Sequence, residues 1–567
     1  MMLRALALSA ILAPALLPAQ EAKPALRDIR GNRRSLSEFK EAKAFALFFV
    51  GVDCPMANLY VPRLLELHQA WAPKGVRFVA VYPNEAETLE AVAIHSDEKG
   101  FPFLVVKDYG QRLADKLGVQ RTPEAVVLDK DHAVKYRGRI DDQYGAAFRK
   151  EKATSNDLAD ALEAVLAGQA LNAAAVEADG CLIGRKSALP RKDGVTWARD
   201  VAPIVQKRCQ ACHRPGEIGP IPLVSYEDAA GHAAMIREVV VQKRMPPWHA
   251  DPRHGKFSND RSLAADEIAT IASWIDSGSP QGDPKDLPKP VEWPKGWAIG
   301  TPDAVFSLPR DVDVPAQGTV EYLYFNVPTG FAEDRWVERA EIRPGNARVV
   351  HHVLVYLKLP GKGVHALDGS TTALVGWAPG DMPFIVSPGT AARIPREAEL
   401  QFEVHYTPIG AATKDRTSVG LIFAKKPPER ETRMNIFAKL AIAIVPGAGH
   451  HQEQSTMTFR EDVRILTLMP HMHVRGKSYK YEAIWPDGKT EMLLSVPRWD
   501  FNWQSVYRFE TPVSLPRGSK IRQTAHWDNS DNNPLNPDPS KKVRWGLQTW
   551  EEMFNGWVQY VPEKPAR

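Results

Sequence analysis

Four apolar runs, at residues 44–50, 76–82, 103–106 and 125–128, are separated by stretches in which apolar side chains recur at helical spacing, as in 61–71. Short apolar runs alternating with amphipathic stretches predict buried strands and covering helices, hence an α/β sheet over residues 21–168, closed by an Ala-rich helix at 156–168. Residues 169–192 read as a linker that carries Cys181. From 193 to 282 the pattern turns helical. Val201, Ile204, Val205 and Cys209 form one apolar face, and Ile268, Ile271, Ala272 and Ile275 another, with Ser262 as N-cap and Gly278 as terminator. A Pro-rich linker, 283–305, follows. Beyond it short β-type runs are punctuated by Gly and Pro, predicting two all-β sandwiches of jelly-roll type, 306–428 and 429–567.

Composition changes this picture little. At 567 residues, 44% hydrophobic and 25% charged, the chain is a multi-domain globular protein. A net charge of +4 with no long Lys/Arg run gives no reason to expect a nucleic-acid partner. The N-terminus matters more. Arg4, the apolar stretch 6–17 and small residues ending at Ala19 have the layout of a signal peptide, residues 1–19. No window is long and apolar enough to span a bilayer, so a periplasmic or secreted protein is expected.

Such a protein holds only four cysteines, Cys54, Cys181, Cys209 and Cys212, too few for a disulfide framework. Cys54 follows the first strand and precedes a helix, and Thr122-Pro123 precedes a later strand. These features resemble the redoxin branch of the thioredoxin-like superfamily, with Cys54 as the attacking thiol and Thr122-Pro123 as the loop opposite it. The second cysteine of a C-x-x-C pair is missing from Cys54-Pro55-Met56-Ala57, and Leu47 and Gly51 stand where a peroxidatic motif has Pro and Thr. Three roles stay open for Cys54: a redox pair with Cys181, an inert remnant, or a metal-handling thiol.

Cys209-Gln210-Ala211-Cys212-His213 is a C-x-x-C-H motif, whose two thiols on one turn can both add to haem vinyls while the imidazole binds iron. A zinc half-site or a plain dithiol are its alternatives. Met245, in a Pro-rich loop, is the candidate sixth ligand, with His249 and His232 as rivals, and a thioether there suits electron transfer. The segment resembles small cytochrome c domains, all-α, with one covalent haem c.

Five of the nine histidines in the β-rich half sit in telling places. His471 and His473 alternate by two, so on a strand they share a face and can clamp one ion. In residues 401–406 odd positions are polar and even ones apolar, so His405 points away from the core, toward a cleft or solvent. His351 and His352 are adjacent and bind one ion together only across a bulge or through different ring nitrogens. His365, His450, His451 and His526 carry no motif, and the 450–451 pair is expected to be solvated.

Val350-His351-His352-Val353, Glu403-Val404-His405-Tyr406, Pro470-His471-Met472-His473-Val474-Arg475-Gly476-Lys477 and Glu551-Glu552-Met553-Phe554-Asn555 occur in that order. Together they resemble the type II copper, ascorbate-dependent monooxygenases, the peptidylglycine and dopamine hydroxylase family. The resemblance implies an electron-transfer copper on His351, His352 and His405, and an O2-binding copper on His471, His473 and Met553, on separate sandwiches across a wet cleft. It implies insertion of one oxygen atom of O2 into a C–H bond of a small-molecule or peptide substrate. The tethered haem segment, by proximity, is expected to relay the electrons instead of, or as well as, an external donor. The alternatives are a non-catalytic copper and haem redox protein, or a thiol-redox protein acting through Cys54. Two positions depart from the peptide-amidating pattern. Met469 stands where an arginine grips the substrate carboxylate, and Trp557 replaces a tyrosine, although Asn555 matches.

Overall fold

A computed structural model of the chain describes residues 26–145, 148–150, 152–169, 177–185, 189–219, 221–293, 296–318, 320–359, 371–378 and 383–564. The expected signal segment 1–19 and His365 lie outside the described residues.

The N-terminal unit is a thioredoxin-like α/β domain built on a seven-stranded sheet. Across it run Arg33–Arg34, Leu26–Asp28, Leu104–Asp108, Val76–Tyr82, Ala44–Phe49, Glu124–Asp129 and Val134–Gly138. The central three, 44–49, 76–82 and 104–108, are parallel, and every residue of Ala44–Phe49 is buried. Burial on both faces is why that strand reads as an uninterrupted apolar run. Phe48 points into one core with Phe78 and Phe103, while Phe45, Leu47 and Phe49 point into the other. The helices Pro55–Trp71, Leu89–Lys99 and Asp157–Leu166 cover the sheet.

A helical unit follows, with Ala202–Arg208, Tyr226–Gly231, Ala233–Val241 and Ala265–Asp276 packed around Trp197, Val205, Leu223, Ile271 and Trp274. The last helix starts later than its Ser262 signal. Ala264 is its N-cap, and its backbone N–H is taken by the Glu267 carboxylate at 2.8 Å, so the acid three residues on sets the start.

The remainder is β-rich and forms two pairs of sheets. In the first, a sheet ordered Ala304–Ser307, Ser418–Phe423, Arg335–Arg343, Thr390–Ile394, Arg430–Glu431 faces one ordered Leu323–Pro328, Glu399–Tyr406, Val350–Lys358, Thr371–Trp377. In the second, Arg433–Ala438, Asn555–Pro562, Val463–His471, Tyr507–Leu515 faces His451–Thr458, Lys520–Trp527, Gly476–Ile484, Thr490–Val496.

The second sandwich is the hub. After the helix Ala233–Val241, the chain sends Trp248, Ala250 and Phe257 into its core, where Trp248 lies 4.9 Å from the Tyr507 ring. The N-terminal unit docks on it too. Lys477 Nζ donates to the carbonyls of Phe101 at 2.7 Å and Gly449 at 2.9 Å, and Asp97 accepts from Ser478 and pairs with Lys480 at 2.6 Å. His450 stacks on His526 at 4.3 Å beside this rivet instead of lying in solvent.

Trp248→Ala should cost about 3–5 kcal/mol, the range for deleting a buried Trp, read as a lower urea midpoint for the second sandwich. The half-exposed Leu287, changed to Ala, should shift it by at most about 0.5 kcal/mol. Equal shifts for the two variants would show that the segment does not anchor in this core.

Candidate functional site

The buried Cys54 is the N-cap of the helix Pro55–Trp71, and its sulfur accepts from Ala57 N–H at 3.4 Å. Its thiol donates to the Thr122 carbonyl at 2.9 Å, and the Cys181 sulfur lies 3.1 Å away. Cys181 arrives by strand pairing: Cys181–Leu182 runs antiparallel to Arg121–Thr122, with Cys181 opposite Thr122. Gly180 permits this approach, since a Cβ there would sit 2.3 Å from the Thr122 carbonyl oxygen. The strap is held by Arg121 on the Gly180 carbonyl, Ile183 N–H on Gln120, and Gly184 N–H on the Asn84 side chain, at 2.8–3.0 Å. Desolvation and the adjacent Cys54 sulfur push the Cys181 thiol up to about 11. Below the pair, the buried Glu87 carboxylate accepts from Val52 N–H at 2.7 Å and Asn84 at 2.8 Å, and burial raises its pKa. The cysteine missing from the helix turn is thus matched by one from the linker. Sequence alone left that pairing open because 127 positions separate the two residues.

The C-x-x-C-H segment closes a turn at the end of Ala202–Arg208, with Cys212 and His213 N–H both directed to the Cys209 carbonyl. Burial pushes the Cys209 thiol up to about 12. His213 Nδ1 donates to the Ile221 carbonyl at 2.8 Å, which fixes the ring and leaves Nε2 as the nitrogen that could bind a metal. Met245 N–H bonds the Val239 carbonyl at 3.2 Å. Of its rivals, His232 is tied by Nδ1 to the Asp228 carbonyl at 2.8 Å. His249 is buried between Trp248 and Ala250, both in the core of the second sandwich.

The five motif histidines of the β-rich half, His351, His352, His405, His471 and His473, come together. The strand Val350–Lys358 slips register against Glu399–Tyr406 between Val350 and His352, and His352 stands opposite His405. That bulge brings the adjacent His351 and His352 onto one centre, with their Nδ1 atoms 3.0 Å apart. One ring nitrogen from each of His351, His352 and His405 lies within 4.8 Å of the others. His405 does face away from its own core, as the alternation of 401–406 requires. The second sandwich covers that face, so His405 is buried and not solvated.

His471 and His473 have ring centres 5.4 Å apart. His471 Nδ1 is bound by the Gln504 amide oxygen at 2.6 Å, and His473 Nδ1 meets the Glu551 carbonyl at 3.2 Å. Glu552 accepts from the N–H groups of His473 and Arg475 and from Trp527, at 2.7–3.0 Å, pinning the 551–555 segment to the histidine loop. Asn555 pairs with His471 across the strands, which sets Met553 two positions away, its sulfur accepting from Asn555 at 3.2 Å. Burial lowers the pKa of all five imidazoles, to about 4 for His351 and His471 and about 3 for His405, so each is neutral at pH 7.

Met469 and Trp557 belong to one apolar cluster with Leu354, Tyr356 and Ala373 of the first sandwich, forming a seam between the two. Residues with no sequence signal complete the site. Tyr322 stacks on His405 at 4.5 Å, and Phe501 stacks on His351 at 4.9 Å. Glu552 lay inside a recognised motif, yet only the fold reveals its anchoring role.

Residues 18–156 match the Redoxin family model, so the N-terminal unit is a redoxin domain of the thioredoxin-like class. A thiol-disulfide oxidoreductase ResA of Bacillus thuringiensis (strain Al Hakam) is 30% identical over 107 residues, covering 19% of this chain and 60% of that protein. The ResA of Bacillus anthracis matches to the same extent. The chain therefore spans three fifths of the length of these curated relatives. Among solved structures, a hypothetical protein of Sinorhizobium meliloti 1021 is 31% identical, over 29% of this chain and 90% of its own, with a TM-score of 0.27. A secreted disulfide oxidoreductase of Mycobacterium tuberculosis is 18% identical, over 24% and 92%, with a TM-score of 0.19. Among the described residues no helix is long and apolar enough to cross a membrane.

Iodoacetamide labelling of the reduced chain should modify Cys181 at pH 8 about a hundredfold more slowly than an unperturbed thiol, with a rate still rising toward pH 11. An inflection near 9 would contradict the environment described for that sulfur.

Proposed function

We propose that this chain is an exported, multi-centre redox protein whose redoxin domain carries out thiol–disulfide exchange with Cys54 and Cys181. The carrying observation is the 3.1 Å contact between the two sulfurs, delivered by a strap that pairs with the Thr122 edge. The likeness to proteins named thiol-disulfide oxidoreductases supports the same reading. Ala57 N–H at the helix N-terminus stabilises negative charge on Cys54 as it attacks a partner disulfide. One partner sulfur leaves as a thiol, and a mixed disulfide forms. Cys181 then loses its proton and attacks the Cys54 sulfur, releasing the second partner thiol. The balance is one partner disulfide reduced to two thiols and one Cys54–Cys181 disulfide formed, with two electrons and two protons transferred. Diamide treatment should produce an intramolecular Cys54–Cys181 peptide in the digest, and Cys54→Ser and Cys181→Ser should each abolish it. Oxidised protein yielding only intermolecular dimers would overturn the assignment.

A second reading is supported by the buried imidazoles. Among the described residues His351 Nε2, His352 Nε2, His405 Nδ1 and His473 Nε2 have no hydrogen-bond partner, and neutral nitrogen donors beside a thioether fit copper in both its oxidation states. His351, His352 and His405 would hold one copper, and His471, His473 and Met553 the other. Copper bound there supplies the redox chemistry for monooxygenation, in which O2 gives one oxygen atom to a C–H bond and one to water. The chain's own part is to keep the imidazoles neutral, orient His471 through Gln504, and exclude water with Tyr322, Phe501 and the Trp557 seam. Met469 in that seam removes the cation that would grip a peptide carboxylate, favouring a substrate without one. Cys209, Cys212, His213 and Met245 would carry one haem c, fitted by the free Nε2 of His213, and relay electrons from an external donor.

Elemental and pyridine-haemochrome analysis of the full chain should give about two coppers and one covalent haem. Met553→Ala should lose one copper and keep the other. A wild-type chain without copper would end this reading and leave the thiol assignment standing.

A further inference from the structure

We infer that the strap around Cys181 occupies the seat that a partner's cysteine must take to meet Cys54, and that this seat admits only a cysteine preceded by glycine. The partner is thus an extended polypeptide segment carrying a Gly-Cys pair whose cysteine is in a disulfide. The inference rests on the exchange reading above and names the substrate class of that same thiol pair.

Cys54 is only 5% exposed, and its sulfur meets the Ala57 N–H at 3.4 Å and the Thr122 carbonyl at 2.9 Å. Its third neighbour is the Cys181 sulfur at 3.1 Å. The first two are main chain of the domain itself, whereas the strap is the layer between Cys54 and solvent. Cys181 is exposed, and Leu182 beside it is 68% exposed. A partner sulfur coming from solvent therefore has to take the place that Cys181 holds.

Main-chain atoms shape that place. Cys181 stands opposite Thr122 and Leu182 opposite Arg121, and Arg121 donates to the Gly180 carbonyl at 2.9 Å. A Cβ at Gly180 would lie 2.3 Å from the Thr122 carbonyl oxygen, 2.7 Å from its carbon and 3.0 Å from Pro123 N. None of these three atoms can swing aside as the end of a long side chain would. Any strand that sets its cysteine opposite Thr122 in this register meets the same atoms, so glycine precedes the cysteine in the partner as it does in the strap. Main-chain pairing and the carbonyl held by Arg121 supply affinity for a segment of any other sequence. The residue after the cysteine faces solvent, as Leu182 does, and is not selected.

The test uses the reduced full chain carrying Cys181→Ser, with a Cys54→Ser, Cys181→Ser chain as blank. One peptide has the strap's own sequence, Glu-Ala-Asp-Gly-Cys-Leu, and a second has alanine in place of its glycine. Each carries thionitrobenzoate in disulfide linkage on its cysteine, so attack by Cys54 on the peptide sulfur forms a mixed disulfide and releases the coloured thiolate. The glycine peptide is expected to react at least about tenfold faster than the alanine peptide, while both react alike with free N-acetylcysteine. In the same Cys181→Ser background, Gly180→Ala should unseat the strap and speed iodoacetamide labelling of Cys54, read by peptide mass mapping, about tenfold. Equal rates for the two peptides, or labelling unchanged by Gly180→Ala, would overturn the inference and leave exchange by Cys54 standing. Release from neither peptide removes the exchange reading itself, and the inference with it.

Discussion

Burying an imidazole nitrogen without a hydrogen-bond partner is the constraint from which the β-rich half follows. Each such polar atom costs roughly 1–3 kcal/mol, so the four in this cluster cost about 4–12 kcal/mol. A typical domain's entire stability is about 5–15 kcal/mol. Copper bonded to these nitrogens, as proposed, would offset their desolvation. The bulge at Val350–His352, the Glu552 anchor under His473 and the Gln504 contact to His471 all act to aim those rings.

The same constraint explains how the units are joined. Burial keeps the imidazoles neutral well below pH 6, and the two sandwiches supply that burial when pressed together along the seam that contains Trp557. Pressing them together requires the 501–508 loop to stay in place, and the segment from the helical unit holds it with Asn259 and Arg261. Trp248 and Phe257 anchor that segment in the second core. The redoxin unit is riveted to the same sandwich through Asp97 and Lys477, so the thiol pair and the histidine cluster belong to one connected framework.

Much of this was legible in residue order, for physical reasons that differ by element. The strand Ala44–Phe49 is apolar on both faces, and its burial on both sides made it unmistakable. Helix boundaries were less clear: Ser262 offered a cap, but the Glu267 side chain bonds the backbone of Ala264 and fixes the start there. His471 and His473 were readable as a pair because strand alternation is strict, whereas His351 and His352 needed a bulge that no local residue announces. The alternation of 401–406 shows that His405 turns away from its own core, toward a cleft or solvent, but not that the second sandwich covers that face. Gln504, Phe501 and Tyr322 carried no signal, being common residues that gain a role only through long-range packing.

The most direct test of the central claim is calorimetric. Two equivalents of copper added to the metal-free chain should raise the unfolding midpoint of the β-rich half by several degrees, as expected for a ligand bound well above its Kd. A chain with His351, His352 and His405 all changed to Ala should lose much of that rise. A midpoint unmoved by copper, or moved equally in the triple variant, would show that the buried imidazoles serve packing alone.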